Sequence, residues 1–270
     1  MKKRNIVFLC LLAAFMLASS CQKEEMPDNT KNVPINIGGV CFRMIRVDGG
    51  TFTMGATSEQ GDDAYNWEKP VHQVTLSSYY IGETEVTQEL WQVVMGSNPS
   101  YFSGSQKPVE CVSWYDCQEF VRKLNSMTGQ NFRLPTEAEW EFAARGGNKS
   151  RGYKYAGSNT IDNVAWYSES IPSQSSGTVG NGTQNVATKE ANELGIYDMS
   201  GNVWEWCQDW FVFYSSDSQT NPIGHSSSFD FNRVRRGGCW YDQARNCRVS
   251  IRADLSPYGW STFLGLRLAL

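Results

Sequence analysis

The sequence predicts an α/β (α+β) fold, a single domain in which short helices and strands are joined by much irregular backbone. Short helical and strand periodicities alternate along the chain, and there is no internal repeat. Glycine, serine and asparagine are dense between these patterns, and 10 Trp and 12 Tyr residues are spread throughout the chain. Such a composition favours a fold held together by aromatic cores rather than by long regular elements.

Strand patterns occupy the start and the end of the folded part. The segment 40–47 has strand periodicity, and Gly49-Gly50 marks a turn into a second strand at 51–54. Residues 71–80 alternate in the manner of a third strand. The segment 264–270 is the clearest strand near the carboxyl end.

Three helices are predicted between these strands, at 87–95, at 113–127 and from 135 to the glycine pair at 146–147. The second and third begin with a capping box, a serine or threonine followed three residues later by an acid. The pairs are Ser113 with Asp116 and Thr136 with Glu139. From 148 to 195 we expect mostly loop.

The third helix carries three glutamates that resemble an acid/base cluster. Glu137, Glu139 and Glu141 alternate along the helix, so they do not converge on one point. We therefore expect them to cap the helix and to form ion pairs with Arg133 and Arg145.

The first twenty residues are predicted to be a targeting signal rather than part of the fold. A basic head at 2–4 precedes the apolar or small run 6–17, which is too short to span a bilayer of about 30 Å. Small residues then lead into Cys21. This resembles a bacterial lipoprotein signal, which implies that Cys21 becomes the lipidated first residue. The alternative is ordinary signal cleavage with Cys21 incidental.

Residues 21–38 are polar and proline-containing, which predicts a flexible tether. The acidic residues just after Cys21 resemble the tag of surface-exposed lipoproteins of Bacteroidetes. The expected location is therefore the outer membrane or cell surface, with the membrane contacted through the lipid anchor.

The charge of the chain excludes one class of partner. Without the basic head, 21 basic side chains face 28 acidic ones, and no basic run remains. We therefore expect no nucleic-acid binding. Only two histidines are present, which leaves little imidazole for a catalytic metal.

The loop 197–206 has the composition of a site for a hard cation. Asp198 and Glu205 lie seven residues apart, and the run 200–202 between them favours a bend that brings carbonyl oxygens together. Carboxylates and carbonyls are the ligands that Ca²⁺ prefers. The alternative is a loop held only by its own hydrogen bonds.

Six segments in order resemble the formylglycine-generating enzyme, or sulfatase-modifying factor, domain. They are GGTFTMG at 49–55, PVECVSW at 108–114, RLPTEAEWE with AARGG at 133–147, GIYDMSGNVWEW at 195–206, RGGCW at 236–240 and LGLR at 264–267. The resemblance implies a single domain at 39–270 with a C-type-lectin-like core. It also implies a structural calcium site with side chains from Asp198 and Glu205 and carbonyls from Gly201 and Val203. The resemblance also implies a second calcium site that begins at Asn163-Val164, but its later acidic ligand lies in a segment that is shortened here.

The family's oxidase chemistry needs two cysteines five apart that bind Cu(I), a soft ion that prefers thiolates. No such pair occurs here. The remaining catalytic candidates are Cys239 and Cys247, eight apart, with copper as the cofactor only if they are catalytic. The alternatives are a buried thiol or a disulfide, either between them or from Cys247 to Cys207.

The same carboxyl-terminal region carries aromatic and polar side chains suited to recognition. The ligand-binding candidates are Tyr241, Asp242, Arg245, Tyr258 and Trp260. We expect a cell-envelope lipoprotein that binds a protein or glycan ligand at the cell surface. The alternative is a cysteine- and copper-dependent oxidase that converts a sulfatase cysteine to formylglycine or modifies another exported protein.

Overall fold

The structure is a computed structural model that describes residues 32–169, 182–224 and 232–270. The leader, Cys21 and His225 lie outside these ranges. The strands are β1 Val33–Ile37, β2 Val40–Val47, β3 Gly50–Met54, β4 His72–Leu76, β5 Tyr79–Gly82, β6 Trp204–Trp210, β7 Gln219–Thr220, β8 Arg233–Arg236, β9 Arg252–Leu255 and β10 Leu264–Leu266. The helices are α1 Gln88–Met95, α2 Trp114–Thr128, α3 Glu137–Ala144 and α4 Ile161–Val164.

The strands form three small sheets rather than one large one. Their orders are β1-β2-β5, β3-β4-β7 and β10-β6-β8-β9. In the third sheet, β8 pairs antiparallel with β6 and with β9, whereas β10 runs parallel to β6. Within the described ranges, no helix is long and apolar enough to cross a bilayer.

Three of the predicted strand boundaries were wrong. The strand predicted at 264–270 ends at Leu266. The segment 33–37, assigned to the tether, forms β1 and pairs antiparallel with β2, so these residues belong to the folded part. The segment 71–80 contains two strands that pair in different sheets, β4 with β3 and β5 with β2. The buried positions are 72, 74 and 76 in β4, but 79 and 81 in β5, where Gly82 at the end of the strand is buried too. This change of phase marks the break, because a strand buries alternate residues.

The three helices begin where the capping residues predict. The side chains of Thr87, Ser113 and Thr136 each accept a hydrogen bond from a backbone N–H of the first turn. The capping boxes of α2 and α3 are both formed. Helices α1 and α2 pack through Trp91 and Phe120, whose stacked rings lie 4.9 Å apart.

Tryptophan side chains hold irregular backbone against the core. The indole of Trp206 donates to the carbonyl of Val112 at 3.1 Å, and that of Trp114 donates to the carbonyl of Cys207 at 3.0 Å. These contacts join segments more than 90 residues apart. Each buried indole N–H therefore provides a hydrogen-bond partner for a backbone carbonyl of a distant segment.

Four fully buried arginines each contact a buried glutamate. The pairs are Arg236–Glu141, Arg248–Glu68, Arg252–Glu137 and Arg267–Glu205. Three of them connect the carboxyl-terminal third to the middle or the beginning of the domain. Their hydrogen bonds are charge-assisted, the kind strong enough to balance burial of both ions.

The glutamates of α3 cap and pair as expected, with one partner that the sequence analysis did not identify. Glu139 contacts Arg133 at 2.6 Å, and Glu141 contacts Arg145 at 2.8 Å. Glu137 instead contacts Arg252 at 2.7 Å.

We expect Arg248→Met to lower the free energy of unfolding by about 3–5 kcal/mol, because it leaves the buried Glu68 carboxylate without its cation. Urea denaturation measures the loss. Arg122→Met is the matched control, since Arg122 pairs with Glu119 on the exposed face of α2. The control should change stability by less than about 1 kcal/mol. Equal losses in the two variants would contradict the importance of the buried pair.

Candidate ligand-binding site

The two candidate catalytic cysteines are buried thiols. Cys239 follows β8, and Cys247 ends a short 3-10 helix at 244–247. The Sγ atom of Cys239 donates to Oδ2 of Asp242 at 3.0 Å, and that of Cys247 donates to the carbonyl of Gln243 at 3.9 Å. Both cysteines are free, as is Cys207, so the disulfide alternatives were wrong and the buried-thiol alternative is correct.

Burial also controls the protonation of these thiols. It raises the pKa of Cys239 and of Cys247 well above the ordinary value, and the nearby Asp242 carboxylate adds to both shifts. Cu(I) binds thiolates. Holding Cu(I) between the two sulfurs would require both thiols to lose their protons beside the Asp242 carboxylate.

Asp242, a predicted ligand contact, instead organises the turn. Its Oδ2 accepts hydrogen bonds from the backbone N–H and the thiol of Cys239 and from the indole of Trp204. Its Oδ1 accepts from Nδ2 of Asn246 at 3.2 Å. With four donors on one carboxylate, its main contribution is to fix the backbone around Cys239.

A cavity of about 340 Å³ lies beside this turn. Its lining residues are Tyr65, Trp67, Trp204, Arg235, Cys239, Tyr241, Asp242, Asn246, Ile251, Arg252, Ala253 and Phe263. The rings of Tyr65 and Trp67 are stacked at 4.5 Å and form one wall. The hydroxyl of Tyr65 donates to Oδ1 of Asn246 at 3.2 Å, which joins this wall to the turn.

The remaining predicted contacts divide between the cavity and its surroundings. Tyr241 lines the cavity and is 55% exposed. Arg245 is exposed, with its guanidinium 5.8 Å from the Tyr65 ring. Tyr258 and Trp260 are 75% and 64% exposed and do not line the cavity. These two residues belong to a separate surface, where Tyr258 contacts Tyr115 at 4.8 Å.

Among the lining residues of the cavity that sequence reasoning missed are Tyr65, Trp67 and Arg235. Tyr65 and Trp67 contact the turn from about 180 positions earlier, and no local pattern indicates that contact. For Arg235 a local signal exists. It lies on the opposite face of β8 from the buried Val234 and Arg236, as strand alternation requires.

The predicted calcium loop has the expected tight backbone. Positive φ angles occur at Asp198, Gly201 and Asn202. Glycine is required at 201, because a Cβ there would lie 2.2 Å from the carbonyl oxygen of Trp166. The loop is buried, with Asp198 only 3% exposed.

Both predicted carboxylate ligands of Ca²⁺ accept hydrogen bonds from other groups of the protein. Both carboxylate oxygens of Glu205 accept from Arg267, one of them at 2.7 Å, and Oε2 also accepts from the indole of Trp140. Asp198 accepts from the backbone N–H of Ala187 at 2.7 Å. Among the residues that the structure describes, no three His, Cys, Asp or Glu side chains are grouped to hold a metal ion. Calcium binding stays a prediction of the resemblance.

Protonation of buried carboxyl groups is another way to reduce the negative charge of this loop. Burial raises the pKa of Asp198 to about 6, and burial with repulsion from Asp198 and Glu205 raises that of Glu85 well above its usual range. Both shifts favour the neutral acid, which lowers the negative charge that this buried loop carries.

Comparison with known proteins places the whole described domain in one group. Residues 37–270 match the family model described as a sulfatase-modifying factor enzyme 1-like domain. The chain is 33% identical to the chaperone protein LppX of Paenibacillus barcinonensis, over 83% of this chain and 88% of the relative. It is 28% identical to the formylglycine-generating enzyme of Streptomyces coelicolor, again over 83% and 88%. Treponema denticola variable protein 1 matches with a TM-score of 0.76 and 34% identity, over 88% of this chain and 98% of that one.

These matches confirm the predicted family and the mixed α/β domain with much irregular structure.

We expect Cys239 and Cys247 to react with N-ethylmaleimide at least ~100-fold more slowly in the folded protein than in urea, because the thiolate fraction falls tenfold per unit of raised pKa. Peptide mapping after timed labelling assigns each rate. Labelling of both cysteines in the folded protein at the rate of a free thiol would contradict their burial.

We expect EDTA to change the melting temperature by less than ~2 °C, because Arg267 already neutralises Glu205. Differential scanning calorimetry with and without Ca²⁺ measures this. A calcium-dependent rise that Asp198→Ala removes would instead establish the predicted calcium site. Asp217→Ala, on an exposed loop, is the control and should leave any such rise intact.

Proposed function

The chain belongs to the sulfatase-modifying factor enzyme 1-like domain family, and we propose that it uses this fold to bind a protein or glycan ligand at the cell surface, as an envelope lipoprotein. One observation carries the proposal. The two cysteines left in the carboxyl-terminal segment are buried, protonated thiols, and they lie beside an aromatic cavity that is open to ligands.

The state of the thiols argues against the family's oxidase chemistry in this chain. A copper-dependent oxidase must offer thiolates to the metal and an open approach to the client cysteine. Cys247 has no exposed surface, and Cys239 is nearly as buried. Their hydrogens are also committed to acceptors inside the turn.

The surface around the cavity has the features of a recognition site. Four aromatic rings follow one another with centroids 4.9 to 5.5 Å apart, from Tyr101 through Phe102 and Trp240 to Tyr241. Trp240 is buried and anchors the row, whereas Tyr101 and Tyr241 are exposed at its ends. Rigid aromatic side chains bind ligands with little loss of conformational entropy.

The lipoprotein part of the proposal rests on the leader and on the geometry of the first strand. With β1 starting at Val33, the tether from Cys21 is shorter than expected and reaches at most about 40 Å. A domain held this close to a lipid anchor is suited to contacts at the membrane surface. A relative named LppX supports the same view.

We expect the mature protein to bind a limited set of ligands on a glycan array or in a displayed peptide library. Tyr241→Ala should weaken binding by more than ~10-fold, because an exposed aromatic that lines the cavity acts as an anchor, and Trp260→Ala, on the separate surface, should weaken it less. Melting temperatures should stay unchanged, since neither ring is in the core. Phe213→Ala, an equally exposed aromatic away from this cavity, is the matched control.

Two outcomes would contradict the proposal. One is equal binding by all three variants. The other is enzymatic. If the protein with Cu(I) and O₂ converts a cysteine-containing sulfatase peptide to the aldehyde, and Cys247→Ala abolishes the reaction, the binding function is replaced by catalysis.

A further inference from the structure

Arg235 lies on β8 with its guanidinium facing the cavity. Its Cζ is 4.7 Å from the centroid of the Trp204 ring, and the side chain is one of the residues that line the cavity. The indole of Trp204 donates to Asp242, so the ring that supports the guanidinium is itself held in place. Arg235 is therefore presented to the cavity on a fixed aromatic face.

The charge of Arg235 has no carboxylate partner among the described residues. It takes part in no ion pair there, and its Nε is buried without a hydrogen-bond acceptor. The nearest acids are already engaged. Asp242 accepts four hydrogen bonds, and Asp254 accepts from Asn232 at 2.6 Å. Burial lowers the pKa of Arg235, the direction expected for a cation that has lost water and gained no anion.

A bound anion would supply the negative charge that no described carboxylate places against Arg235. A guanidinium presents parallel N–H groups that match the two oxygens of a carboxylate, and such bidentate bonds are among the strongest in proteins. The buried pairs elsewhere in this domain show the same chemistry with glutamate. Arg235 differs because no carboxylate within the described ranges pairs with it.

The other lining residues of the cavity are suited to a ligand that contains a small ring with polar substituents. The stacked Tyr65–Trp67 wall and the Tyr241 ring offer aromatic faces, while Asn246 offers an amide able to bond hydroxyl groups. The volume of about 340 Å³ lies at the small end of ligand pockets. A rigid ring also loses less conformational entropy on binding than a peptide side chain.

We propose that this cavity binds the carboxylate of an acidic sugar, with Arg235 as its charge partner and the aromatic wall against the sugar ring. The inference rests on the proposed binding function and names its ligand class.

Titration of the mature protein with D-glucuronate, D-galacturonate, neutral D-glucose and N-acetylglutamate amide tests the assignment. Nuclear magnetic resonance or calorimetry detects binding up to ~10 mM ligand. At least one acidic sugar should bind at least ~10-fold more tightly than glucose, and Arg235→Gln should remove that difference. Arg122→Gln, on the exposed face of α2, should leave binding unchanged.

Arg235→Lys is a second variant, which still tests the proposal if Arg235→Gln does not fold. It keeps the positive charge but lacks the planar guanidinium. It should bind the acidic sugar more weakly than the unmodified protein and more tightly than Arg235→Gln. Circular dichroism and melting temperature confirm that each variant is folded.

Three results would overturn the inference. These are no acidic-sugar binding in the tested range, unchanged binding in Arg235→Gln, and tighter binding of N-acetylglutamate amide than of any sugar. If Arg235→Gln retains a ligand that Tyr241→Ala loses, the charge assignment fails while the proposed binding function stands. If neither variant affects binding, both fail.

Discussion

Buried arginine–glutamate pairs are the interaction on which this fold depends. The longest helix in the described ranges has only 15 residues, and many connections are loops. Three of the pairs join segments that no ladder of backbone hydrogen bonds connects, whereas Glu205–Arg267 reinforces the pairing of β6 with β10. Glu68 and Arg248 are 180 residues apart, and Glu205 and Arg267 are 62 apart. Because losing one partner leaves an uncompensated buried charge, each pair ties a distant loop to the core more firmly than an exposed ion pair does.

The same pairs determine the shape of the candidate site. Arg248 is anchored on Glu68, and its Nε donates to the carbonyl of Arg245 at 2.7 Å, which closes the turn that ends at Cys247. The short 3-10 helix that supplies Glu68 begins at Asn66 and also carries Trp67, part of the aromatic wall. The ion pair therefore brings the wall to the turn. The cavity lies between two segments that one buried contact holds together.

Local features of the fold could be predicted from the sequence, and long-range ones could not. Caps depend on residues three apart, so Ser113 with Asp116 and Thr136 with Glu139 identified two helix starts correctly. The break inside 71–80 was missed because a change of phase between two strands has the same composition as one longer strand. The partner of Glu137 was missed because Arg252 lies 115 residues away. The family motifs identified the domain, yet they did not show that Arg267 occupies both oxygens of Glu205.

Exclusion of water makes the thiols beside the cavity harder to ionise, but it strengthens the attraction of the Arg235 guanidinium for an anion. A buried thiol becomes harder to ionise, because its charged form loses hydration, and we therefore expect Cys239 and Cys247 to react slowly in the folded state. An arginine has so high an intrinsic pKa that the same environment leaves it charged. The field of its guanidinium is screened less there than in water, so an anion is attracted more strongly. One buried environment therefore suppresses sulfur chemistry at the turn and strengthens charge recognition at Arg235.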